Sequence, residues 1–191
     1  MRLPEYHTAL FQGLWIAWLV YWSAAAGFAK PAIRRESPGQ RLAHALPLVL
    51  AVALLALPWP RNALTRPMLR IGETWFWACF APTVLGIGFA CWARLHLGAN
   101  WSGDVQVKQG HALIRSGPYA LVRHPIYTGM LLAVLGSALA VASPVGVLAF
   151  LLTLLSFLPK LKREGALMEG EFPDAYPAYR RQVKALVPFV I

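Results

Sequence analysis

Tyr127 to Leu158 reads YTGMLLAVLGSALAVASPVGVLAFLLTLLSFL, 32 positions without one charged side chain. The run is broken once, at Ala142-Ser143-Pro144, where serine and proline mark a tight turn. It therefore reads as two antiparallel apolar helices of about 16 residues each, short against the roughly 20 that cross a bilayer. Both are expected to extend at their outer ends, into His124-Pro125 and past Lys160. Outward from this hairpin lie three more apolar runs. Ala9 to Ala29 has no charge, Leu42 to Trp59 carries His44 and Pro47, and Ile71 to Ala93 has only Glu73. The expectation is an all-α integral membrane bundle of about five transmembrane helices. It forms one domain, with residues 1–93 as a three-helix scaffold and 94–191 as the half that carries the site.

Composition agrees. Hydrophobic residues make up 58% of the 191 and charged residues 14%, against about 45–50% and about 25% in soluble domains. Disorder is excluded for want of polar residues. Cys79 and Cys91 lie in one apolar run, about 18 Å apart along a helix and too far to pair. The net charge of +10 could point to nucleic acid, but in so apolar a chain basic loops beside a membrane are the better reading, and no nucleic-acid partner is expected.

The basic residues also give an orientation. Lys30, Arg34, Arg35 and Arg41, then Arg94, Lys108, Arg115 and Arg123, then Lys160, Lys162, Arg163, Arg180, Arg181 and Lys184 fall on one side of a five-span topology. Arg2, Arg61, Arg66 and Arg70 fall on the other. Fourteen against four puts the C-terminus in the cytoplasm and the N-terminus outside. The first apolar run reads as an anchor, since no A-x-A site followed by a soluble domain appears. Trp59, Trp75, Trp77 and Trp92 fall near span ends as an aromatic belt would. Trp15, Trp18 and Trp22 share one face of the first helix, where lipid or helix packing is expected rather than a cofactor box.

Reactive side chains gather after Arg94. Soluble templates fail: there is no Walker A, no H-E-x-x-H and no Gly-x-Ser-x-Gly, and Gly86-x-Gly88 sits inside an apolar helix without a third glycine. The histidines are too scattered to read as zinc ligands, so no metal is expected. The segment Ser116-Gly117-Pro118-Tyr119-Ala120-Leu121-Val122-Arg123-His124-Pro125-Ile126-Tyr127-Thr128-Gly129 is different. Gly117-Pro118 is a turn, and Pro125 fits the first position of the fourth helix, where its missing N–H costs nothing. Arg123 and His124 then stand at the helix entrance, where free backbone N–H groups favour an anionic ligand group.

These motifs, in order, resemble the isoprenylcysteine carboxyl methyltransferase and phospholipid methyltransferase superfamily. The resemblance runs from about Leu97 to Pro188. It includes Leu97-Gly98-Ala99-Asn100-Trp101-Ser102, Val105-Gln106, His111-Ala112-Leu113-Ile114, Gly117-Pro118-Tyr119, Arg123-His124-Pro125-Ile126-Tyr127, Glu164, Phe172, Tyr176, Tyr179 and Pro188. It implies S-adenosylmethionine as cofactor, on the cytoplasmic side. It also implies cofactor contacts at Gln106, His111, Ala112, Leu113, Ile114, Tyr119, His124, Pro125, Ile126, Tyr127 and Glu164. A basic residue one turn before that glutamate holds the substrate's polar end; here it is Lys160, which shares a helix face with Glu164 at i, i+4. Lys160 and Arg123 are the candidate catalytic residues. The chain departs from the pattern in three places: Gly165 where a second glutamate is usual, Lys160 where arginine is usual, and Phe172-Pro173 where Phe-Gly is usual.

The activity implied is S-adenosylmethionine-dependent methyl transfer to a lipophilic acceptor, with the cytoplasmic loop and C-terminal helical tail forming the cofactor site. Such a transfer is an in-line displacement that chiefly needs positioning. The acceptor stays open among a prenylcysteine carboxylate, a small isoprenoid acid, a thiol and a phospholipid amine. Sterol-type reductases carry a similar Arg-x-x-His-Pro-x-Tyr tail and use NADPH, and a non-catalytic lipid-binding protein is the third reading. The lipid bilayer and a lipophilic or prenylated molecule are the expected partners; the sequence leaves the oligomeric state open.

Overall fold

A computed structural model describes residues 5–27, 37–57, 60, 62–69, 72–101 and 113–188. Every secondary-structure element among the described residues is a helix. α1 is Glu5–Ala26, α2 Pro38–Ala56, α3 Glu73–Leu97, α4 Pro125–Val141, α5 Pro144–Glu171 and α6 Ala175–Gln182. α2, α3 and α5 are each long and apolar enough to cross a membrane, while α4 is a shorter apolar helix of 17 residues. Leu42, Val49 and Val52 of α2 and Leu85 and Leu95 of α3 are exposed, the arrangement of helices solvated by hydrocarbon rather than water.

The hairpin forms as its sequence dictates. Ser143 precedes Pro144 at the start of α5, and Ala142 takes the left-handed conformation (φ 48°) that closes α4. α5 runs 28 residues, well past Lys160. Its tail has too many charges to count as an apolar run, yet it is built of good helix formers. α2 begins at Pro38, before the expected Leu42. Ser37 caps it, with Gln40 returning the bond to the Ser37 backbone, so polar residues form its first turn.

α3 and α4 cross in close contact because the crossing is lined with small residues. A Cβ on Gly86 would meet the Gly129 carbonyl and the Ala133 backbone, and one on Gly136 would meet Thr83 and the Cys79 carbonyl. Backbones can approach this closely only where side chains are absent or short. Hydrogen bonds fasten the outer helices: Trp15 Nε1 donates to Ser137 Oγ at 3.0 Å, joining α1 to α4, and Ser156 Oγ donates to the His44 carbonyl at 2.6 Å, joining α5 to α2. Trp77 and Trp92 are exposed, as belt residues would be; Trp59 lies outside the described residues.

Candidate active site

Three segments converge at the end of the bundle where α4 begins. The first is the loop before α4, which turns through a 3-10 helix at Gly117–Ala120. Gly117 needs its positive φ of 59°, and a Cβ there would strike the His96 ring. The second is the tail of α5. The third is α6 with the residues after it.

The α4 entrance is closed by the C-terminal segment. Arg123 N–H donates to the Lys184 carbonyl at 2.8 Å, His124 N–H to Ala185 at 3.0 Å, and Thr128 Oγ1 to Leu186 at 2.7 Å. His124 caps the helix and Pro125 follows it, as expected, and the N–H groups of Arg123 and His124, just before the helix, bind carbonyls of the chain itself. Tyr179 from α6 completes the lock, its hydroxyl donating to the Tyr119 carbonyl at 2.6 Å. Burial raises the Tyr119 phenol well above its usual range and pushes Tyr179 up to about 12, so both are neutral hydroxyls at physiological pH.

With the entrance fixed, His124 and Tyr127 face Glu164 on α5. The Tyr127 hydroxyl donates to Glu164 Oε1, and His124 Nδ1 lies 3.3 Å from Oε2. Glu164 is thus tied across to α4. Lys160, one turn earlier and only 9% exposed, places its ammonium 5.8 Å from the Tyr127 ring centre. Phe157, one turn earlier again, packs against that ring with centres 4.8 Å apart. A buried cation on an aromatic face is favoured where water is scarce.

These groups line one cleft of about 290 Å³. Its wall holds Leu113, Ile114, Tyr119, Arg123, His124, Pro125, Ile126, Tyr127, Lys160 and Glu164. Gln106, His111 and Ala112 lie outside the described residues. Other wall residues have no place in the expected site, among them Trp18 and Trp22 of α1, Leu48 of α2, Met130, Phe157, Leu167 and Met168. The sequence predicts only packing for the tryptophans. Their spacing marks an apolar face, but it does not say whether that face meets lipid, helix or cavity. The departures are benign in space: a Cβ on Gly165 would sit 3.6 Å from the Tyr176 hydroxyl, an ordinary contact, and Phe172-Pro173 makes the turn into α6.

Fold and site define a helical membrane protein with a cleft that is polar at the α4 entrance and apolar where α1 and α2 line it. Residues 77–169 match the Isoprenylcysteine carboxyl methyltransferase (ICMT) family. The chain is 32% identical over 114 residues to a protein-S-isoprenylcysteine O-methyltransferase of Schizosaccharomyces pombe, a match covering 54% of this chain and 48% of that one. It is 27% identical over 162 residues to a probable protein-S-isoprenylcysteine O-methyltransferase of Oryza sativa subsp. indica, covering 82% and 84%. The solved structure of a eukaryotic intramembrane Ras methyltransferase, ICMT, overlays with a TM-score of 0.49 at 24% identity, covering 83% of this chain and 55% of that one. The chain thus spans about half the length of the yeast relative and of the solved structure. In sequence the chain is therefore similar to isoprenylcysteine carboxyl methyltransferases, over residues 77–169 by the family match and over most of its length to the rice relative.

Proposed function

We propose that this chain is an S-adenosylmethionine-dependent methyltransferase that esterifies the carboxylate of a prenylated cysteine. The observation that carries the reading is one cleft whose wall joins the His124–Tyr127–Glu164 cluster and Lys160 to an apolar face of Trp18, Trp22, Leu48, Met130 and Phe157. A prenylcysteine needs both ends: a polar pocket for its carboxylate and an apolar wall for its tail.

The donor set fits the cofactor. Glu164 offers a carboxylate to its amino or ribose groups. Leu113 and Ile114 offer apolar surface and backbone to its base. Arg123 has a buried Nε with no acceptor among the described residues, and a carboxylate there would satisfy it. Tyr119 and Tyr127 would flank the bound molecule. When bound, S-adenosylmethionine supplies an electrophilic methyl group on a positively charged sulfur.

The protein's own work is then positioning and exclusion of water. A carboxylate acceptor arrives ionised, so no residue has to remove a proton. Lys160 would hold it, keeping its aliphatic stem in apolar surroundings while the ammonium reaches the polar boundary. The neutral Tyr119 and Tyr179 hydroxyls bring no competing charge. The acceptor's tail would enter sideways from the bilayer, and the cofactor from the cytosol. The charge count supports the orientation, with the N-terminus outside and the cleft mouth and C-terminus cytoplasmic. Residues 94–191 carry the chemistry on a scaffold of residues 1–93.

Calorimetric titration of the purified protein in detergent tests this reading, with S-adenosylhomocysteine in one arm and NADPH in the other. Binding of S-adenosylhomocysteine alone is expected; binding of NADPH alone would convert the reading to a reductase.

A further inference from the structure

Arg94 lies in the last turn of α3 and is only 3% exposed. No carboxylate neutralises it in the described structure; its hydrogen bonds go to the ends of two helices. Nη1 donates to the Gly98 carbonyl at 2.9 Å and Nη2 to the Ala25 carbonyl at 2.5 Å. Ala25 is in the last turn of α1, so both acceptors belong to helix C-termini, whose carbonyls lack intrahelical partners and carry the negative end of the dipole. The guanidinium also lies over the Trp101 ring, 4.1 Å from its centre.

The two arms gripped in this way each carry a tryptophan of the cleft wall. Trp22 stands three residues before Ala25, and Trp101 three residues after Gly98. Their rings meet edge to face at 5.4 Å, and both line the cleft. Trp18 continues the row beside Trp22, at 5.2 Å. α1 and α2 contribute only tryptophan and leucine to the wall, so this side suits an apolar chain, not the polar groups of a nucleoside.

We propose that Arg94 is a positioning residue: it clamps the end of α1 to the turn after α3, and so fixes the Trp22–Trp101 wall against which the acceptor's apolar tail packs. Lysine cannot replace it, because one ammonium cannot both fork between two carbonyls and stack on an indole. The effect on the acceptor rests on the methyltransferase reading above; the clamp itself does not.

The test uses the full chain in detergent, as wild type, Arg94→Lys and Trp101→Leu. Hydrogen exchange reads the clamp without activity: Arg94→Lys should speed exchange at residues 22–26 and 98–101 while residues 125–141 stay protected. Unchanged exchange in both segments overturns the clamp. Steady-state kinetics with N-acetyl-S-farnesylcysteine reads its consequence: KM should rise about tenfold in Arg94→Lys, with kcat and S-adenosylhomocysteine affinity within about twofold of wild type. A fall in S-adenosylhomocysteine affinity with KM unmoved would also overturn the proposal. Should Arg94→Lys not fold, Trp101→Leu keeps the carbonyl bonds and removes the wall, and the same rise in KM is expected; an unchanged KM there refutes the assignment. A wild type that binds no S-adenosylhomocysteine refutes the methyltransferase reading and leaves the exchange result to decide the clamp.

Discussion

His124 Nδ1 lies 3.3 Å from Oε2 of Glu164, so the residue that caps α4 and a residue in the charged tail of α5 share one polar contact. Tyr127, at the other carboxylate oxygen, makes this a three-residue cluster inside the cleft. Glu164→Gln and His124→Ala are each expected to weaken S-adenosylhomocysteine binding about tenfold or more, the cost of leaving buried polar groups unpaired. Because the two residues touch, the double mutant should lose less than the sum of the singles. Calorimetry of the three variants checks this; unchanged affinity in both folded single mutants would remove the pair from the cofactor site.

Lys160→Ala should raise the acceptor KM or lower turnover about tenfold or more while S-adenosylhomocysteine affinity changes little. Lys160→Arg should retain most activity if the bound group is a carboxylate, since a guanidinium supplies at least as many donors. Steady-state kinetics at saturating cofactor distinguish the two. Loss of cofactor binding with an untouched acceptor KM would assign Lys160 to the cofactor pocket instead.

The α3–α4 crossing should tolerate no added bulk. A Cβ on Gly129 would lie 2.7 Å from the Ala90 nitrogen, whereas one on Gly88 would meet nothing within 4 Å. Gly129→Val is expected to cost about 1–3 kcal/mol or more. Gly88→Ala should leave stability unchanged or gain up to about 1 kcal/mol from helix propensity. Thermal unfolding in detergent measures both, and equal midpoints would contradict the packing described.

Tyr179→Phe removes the bond to the Tyr119 carbonyl and should cost about 1 kcal/mol. The pH dependence has a definite sign. The folded pKa of about 12 lies above the roughly 10 of a free tyrosine. The phenol's contribution is therefore fully present below about pH 10 and is lost as pH rises from there through about 12. Stability compared between wild type and Tyr179→Phe across that window should show the gap closing only at the alkaline end.

Reporter fusions test the orientation. Ser37, Gly110 and the C-terminus should read as cytoplasmic and Asn62 as external. A reporter at Gly110 active outside would overturn the topology and the cytoplasmic cofactor site with it.

Much of this was legible in the sequence because membrane helices need long apolar runs and their interruptions are conspicuous. Ser143-Pro144 marked the hairpin turn and Pro125 the first position of α4. Other features were hidden for physical reasons. The first turn of α2 is polar, so its start at Pro38 shows only through the capping pair Ser37 and Gln40. Tryptophans at helical spacing look alike whether they pack on lipid or line a cleft, and the role of Trp18 and Trp22 had to come from the tertiary arrangement. The pairing of Arg123 and His124 with Lys184 and Ala185 is between backbone groups far apart in sequence, which no side-chain pattern records. Arg94 looked like one more interfacial cation, because the carbonyls that hold it carry no sequence signature.

Following a labelled methyl group decides whether the protein forms a prenylcysteine ester. Purified protein in lipid is incubated with methyl-labelled S-adenosylmethionine and N-acetyl-S-farnesylcysteine, and the organic extract is treated with mild base. Label is expected in the acceptor, released as methanol because it sits in an ester, and strongly diminished in Glu164→Gln. No transfer by the wild-type protein, or a label that resists base, would contradict it.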